Sequence, residues 1–171
     1  MSKELFAITN NNRKVWIDEE TRIHMDAHSD VDMEVVKEAI SKIVFNDPFT
    51  MEMVDMDRVV GTDNCVETKN FFLAYRKGRE GMTPITQEPA RETSIVTVGM
   101  CRDDDGRVTL FTAFYGVKAP KEPWDKSLKP EEREESEKFW ATHALNVPDE
   151  AIDWERTNAK MKKPISLSSK H

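Results

Sequence analysis

The chain is 171 residues long and carries 25 Lys and Arg against 32 Asp and Glu, a formal charge of −7 at pH 7. A hydrophobic share of 38% with four Trp suffices to bury a core without a disulfide or metal staple, and excludes a wholly disordered chain. The acidic balance excludes a broad nucleic-acid coat or an anionic-membrane binder, because both depend on excess Lys and Arg.

In chain order, the N-terminal stretch holds no apolar core of signal-peptide length, and no run of about 18 apolar residues follows, so the expected setting is cytoplasmic with no membrane partner. Lys14 to Ile17 reads as a short strand. Asp18 with Glu19 and Glu20 reads as the acidic entry of a helix running to about Ser29. Ser29 or Asp30 then caps a second helix, whose apolar face is Val31, Val35, Val36, Ala39, Ile40, Ile43 and Val44, ending before Asn46-Asp47-Pro48. From Met51 to Val60 the pattern becomes extended. Asn70 to Arg76 is an aromatic-rich strand that enters the charged, glycine-containing loop Lys77 to Gly81.

Ser94–Cys101 and Arg107–Tyr115 flank Asp105-Gly106, a strong hairpin-turn signal. After an extended, proline-containing linker, a charged helix is expected from Pro130 to about Leu145 and a second from Glu150 to Met161, followed by a mobile tail over 162–171. Helices, then strands, then helices give an α+β class: N-terminal helices packed on a three- to four-stranded antiparallel sheet, followed by C-terminal helices. The domain expectation is one α+β domain over 1–161, with a core at 13–116 and a helical extension at 117–161. Cys65 and Cys101 can form one disulfide or remain two thiols, and the reading favours thiols.

Three groups of residues carry candidate chemistry. His24 and His28 stand four residues apart on the first helix, a spacing that sets side chains on one face about 5–6 Å apart. Paired imidazoles can serve as base and acid near neutrality. The competing readings are a helix-end cation with a solvated neighbour, or a metal pair, the latter disfavoured because no third ligand with recognisable spacing follows. No metal and no cofactor is expected.

Tyr75-Arg76-Lys77-Gly78-Arg79 places three cations at a strand end, and Lys77, Gly78 and Arg79 form a candidate phosphate-binding loop. The competing reading is a solvated loop pairing with acidic helices. The contrast with the rest of the chain is marked: residues 18–57 hold twelve acidic and three basic side chains, whereas residues 66–102 hold four acidic and six basic. Thr112 and Tyr115, near the end of the last hairpin strand, can donate hydrogen bonds to a phosphate or simply pack. Strict alternation points them to opposite faces unless the strand ends or bulges between them.

Taken together, the strand V-W-I, the helix carrying H-x-x-x-H, the helix ending at D-P, the Y-R-K-G-R strand end and the hairpin ending L-F-T-A-F-Y resemble a nuclease superfamily. That group is the phage-associated branch of the barnase, EndoU, colicin and RelE-like nucleases, and the likeness spans residues 13–116. The resemblance implies a small α+β domain with N-terminal helices on a four-stranded antiparallel sheet, and metal-independent cleavage of RNA. It implies catalytic positions at His24, His28, Arg76, Thr112 and Tyr115, with Arg76 or Arg79 holding the phosphate. Residues 117–171 lie outside it. A different class competes: a non-enzymatic acidic module of phage or plasmid type, docking on a basic protein partner through residues 18–57.

Overall fold

The computed structural model describes residues 2–27 and 30–160, so His28 and the expected tail over 162–171 lie outside the described residues, as does the expected helix end at Met161. Along the chain run β1 (Lys3–Ile8), β2 (Lys14–Asp18), α1 (Glu19–Ala27), α2 (Met33–Ser41), β3 (Phe49–Asp55), β4 (Gly61–Asp63), β5 (Cys65–Glu67) and β6 (Phe72–Tyr75). They are followed by β7 (Met82–Ile85), β8 (Arg91–Thr93), β9 (Ile95–Arg102), β10 (Val108–Tyr115), α3 (Pro130–Trp140), β11 (His143–Leu145) and α4 (residues 154–160). The chain divides into two compact units, Met1–Asp63 with Glu92–Lys118, and Asn64–Arg91 with Ala119–His171.

The expected architecture is corrected at the level of the sheet. Two strands precede the helices, and the described strands form three sheets of five, four and two strands instead of one antiparallel sheet beneath N-terminal helices. The five-stranded sheet has the order β1-β2-β10-β9-β3, and β10 pairs with β2 in parallel through Val108 opposite Val15 and Thr109 opposite Trp16. A parallel neighbour requires a long connection between the paired strands. Local sequence pattern does not report such a pairing.

Local chemistry explains the elements of the first unit. The β9–β10 hairpin turns at Gly106, whose φ of 82° suits glycine, and the turn is closed by Gly106 N donating to Asp103 O at 2.9 Å. Thr21 N donates to Asp18 Oδ1 at 2.7 Å at the start of α1, and Glu34 N to Asp32 Oδ1 at 2.9 Å at the start of α2, each meeting a helix-end amide with a carboxylate. Helix α2 is capped by Asp32 and not by the expected Ser29 or Asp30, and it buries Val36, Ala39 and Ile40. These meet a sheet face formed by Val15, Ile17, Val96, Val98, Met100, Val108 and Leu110, all in one buried cluster.

The second unit holds a four-stranded sheet in the order β5-β11-β7-β6 and a small core of Ala74, Ile85 and Ile152. Helix α3 stops at Trp140, five residues short of its expected end. His143 to Leu145 instead pair antiparallel with Glu67 to Cys65, and Leu145 also lies opposite Ile85 of β7. Tertiary pairing overrides the helical propensity of this stretch. Strands β4 and β8 pair with each other in a two-stranded ribbon. No described helix is long and apolar enough to cross a membrane.

Candidate functional site

The sequence-selected residues divide between the two units: His24, Thr112 and Tyr115 fall in the first, and Arg76, Lys77, Gly78 and Arg79 in the second. In the first unit, α1 is held by Met25, which is 2% exposed, while its neighbour His24 projects into solvent. The helix packs against β10. Tyr115, at the end of β10, is buried, and its hydroxyl accepts a hydrogen bond from Asp32 N at 2.8 Å. That bond fastens the L-F-T-A-F-Y strand to the cap of α2, just beyond the helix carrying His24. The Tyr115 ring lies so close to Gly61 that a Cβ there would come within 2.2 Å of it. Tyr115 is therefore committed to structure through both its ring and its oxygen.

Thr112 faces the other way. The β9–β10 register shifts between Leu110 and Thr112, so that Leu110 lies opposite Met100 and Thr112 opposite Gly99. Such a bulge moves the alternation by one residue. Ala113 and Tyr115 then join Val108 and Leu110 on the helix-covered face, and Thr112 takes the opposite one with Phe114. The bulge precedes Thr112 and leaves the two hydroxyls on opposite faces.

In the second unit, Arg76 is built into the fold. Its Nη2 donates to Glu122 Oε2 at 3.0 Å and its Nε to Thr83 Oγ1 at 3.3 Å, with the Arg76 side chain 19% exposed. The following turn is anchored by Arg156, whose Nη2 donates to Arg79 O at 2.6 Å and Arg76 O at 3.2 Å, and whose guanidinium lies 4.1 Å from the centre of the Tyr75 ring. Gly78 adopts φ of 80°, a region open to glycine, and Arg79 N donates back to Arg76 O at 3.1 Å. Lys77 and Arg79 project outward from this turn. Of the three cations, Arg76 is a partly buried strut, and the exposed pair is what can meet an anion.

The sequence reading overlooked Glu122 and Arg156, which lie 46 and 80 residues from Arg76. No local motif announces partners at such separations. His143 behaves as a helix-end histidine, with Nδ1 2.8 Å from Phe139 O and its ring stacked on Phe139 at 3.8 Å. No set of three or more His, Cys, Asp or Glu side chains among the described residues is arranged to hold a metal ion. No family model, curated protein or solved structure matches the chain.

Proposed function

We propose that the first unit is a metal-independent endoribonuclease-like domain in which His24 and His28 share the proton transfers. The observation that carries this reading is the Asp32 N to Tyr115 hydroxyl bond at 2.8 Å, which ties the last strand of the motif set to the segment just beyond the histidine-bearing helix. His24 is exposed on α1, within reach of a substrate in solution. In the reaction, one imidazole removes the ribose 2′-hydroxyl proton and that oxygen attacks the adjacent phosphorus. The bond to the 5′-oxygen breaks as the other imidazole supplies its proton, leaving a cyclic phosphate. An imidazole with an ordinary pKa near 6.5 populates both forms around neutrality. Arg76 is not assigned to the phosphate, because its guanidinium is engaged by Glu122 and Thr83.

The second reading is the acidic binding module. Its support is that Glu19, Glu20, Asp26, Asp30, Asp32 and Glu34 all remain exposed around α1 and the start of α2. A surface of this kind repels RNA and attracts a cationic protein. One experiment separates the two. Purified protein is incubated with mixed RNA in EDTA beside the His24→Ala/His28→Ala variant; the nuclease reading expects cleavage by the parent alone. Intact RNA in both reactions overturns it and leaves the acidic module.

A further inference from the structure

The second unit carries an apolar groove that neither reading above uses. Its floor comes from adjacent strands, with Leu73 of β6 opposite Pro84 of β7 and Met82 further along β7. Its walls are the Pro123-Trp124 segment and the end of α3 at Trp140. The space amounts to about 470 Å³, within the usual range for ligand sites. One ionisable side chain, Glu137, enters the lining.

The walls are firmly positioned. Trp124 lies over Gly81 so closely that a Cβ at that position would meet its ring at 2.1 Å, so this glycine permits the indole to rest against the backbone. Trp140 Nε1 donates to Pro120 O at 3.1 Å and Arg133 Nη1 donates to Pro123 O at 3.0 Å, fixing the linker against α3. The floor stays open, since Leu73 is 49% exposed although it sits in a strand. Trp124 Nε1, by contrast, is buried and has no hydrogen-bond partner among the described residues.

We infer that this groove docks an extended, proline-containing peptide segment with a Lys or Arg placed opposite Glu137. Two features select that occupant. Aromatic walls with a flat apolar floor are the surface on which polyproline-type segments pack, because such segments are already extended and lose little entropy on binding. The single charge in the lining is negative, so complementarity calls for a cation on the partner.

The test uses the full chain and fluorescence anisotropy with two labelled ten-residue peptides of prolines and leucines, one carrying two arginines and the other two glutamates in the same places. The arginine peptide is expected to bind saturably and at least tenfold more tightly than the glutamate peptide. Leu73→Glu should weaken it tenfold or more, while Glu137→Lys should reverse the preference between the peptides. That reversal is a result that mere loss of folding does not produce. Equal affinity for both peptides, no binding, or binding unaffected by both substitutions overturns the inference. So does saturable binding of the small apolar dye anilinonaphthalene sulfonate with neither peptide bound, which assigns the groove to a small molecule. Since His24 and His28 belong to the first unit, RNA cleavage and peptide binding succeed or fail separately.

Discussion

At the scale of single residues, the consequence of burial is clearest at Arg76 and Glu122. Their side chains are 19% and 10% exposed, and Glu122 Oε1 has no hydrogen-bond partner among the described residues. Removing one member of such a pair leaves a poorly solvated charge, whereas removing both leaves an apolar contact. Arg76→Met is therefore expected to cost about 3 kcal/mol in urea unfolding, the lower end of what breaking a buried pair costs, because some solvent remains. Arg76→Met with Glu122→Leu should recover most of that loss; a double variant as unstable as the single one would show that packing, not charge, governs the site. Tyr115 makes a second case. Tyr115→Phe keeps the ring against Gly61 and removes the acceptor for Asp32 N, so a loss of about 1 kcal/mol is expected. An unchanged urea midpoint would mean that water replaces the hydroxyl.

Among the elements, the β9–β10 hairpin joins local turn chemistry to a long-range ion cluster. Lys3 Nζ of β1 lies 2.7 Å from Asp103 Oδ2 and 2.8 Å from Asp105 Oδ2, so the first strand is tied to the hairpin turn. Burial alone would raise the Asp103 carboxyl, but the hydrogen bond and charge of Lys3 help to outweigh it, and the group is held below its ordinary value. Asp105 is lowered chiefly by its hydrogen bond from Lys3. A carboxylate depressed in the folded state contributes stability above its unfolded pKa, and that contribution disappears as pH falls through the folded value. Stability should therefore decline from about pH 4 downward, near the unfolded Asp pKa, and Lys3→Met should flatten the decline. Parallel pH profiles of the urea midpoint for parent and variant would refute the assignment.

Elements also differ in how openly the sequence announces them. The hairpin was legible because Asp105-Gly106 interrupts two alternating runs, and α1, α2 and β2 because acidic caps and apolar spacing act within one or two turns. Three-residue strands such as β5 and β11 offer too short a pattern to register. His143 to Leu145 join a sheet only because Glu67 to Cys65 and Ile85 present partners. The same limit applied to the candidate site. Y-R-K-G-R displays three cations, but which one is a strut depends on Glu122, 46 residues away.

For the whole molecule, the first unit depends on one buried cluster between α2 and the five-stranded sheet. Leu110 is fully buried within it, and Leu110→Ala should cost about 2–5 kcal/mol through lost transfer energy and a cavity. The expected readout is faster amide exchange across residues 95–115. Unchanged protection there would show that the cluster is not what stabilises this sheet.

Features that act over a few residues were legible in the chain: the hairpin turn, the helix entry at Asp18, the apolar stripe of α2, and the separation of charge between residues 18–57 and 66–102. The division into two units, the parallel pairing of β10 with β2 and the commitment of Arg76 to Glu122 arose only on folding. The physical reason is range. Caps, turns and helical periodicity arise from neighbouring backbone groups, whereas strand partners and buried ion pairs depend on segments brought together across tens of residues, for which the local pattern holds no record.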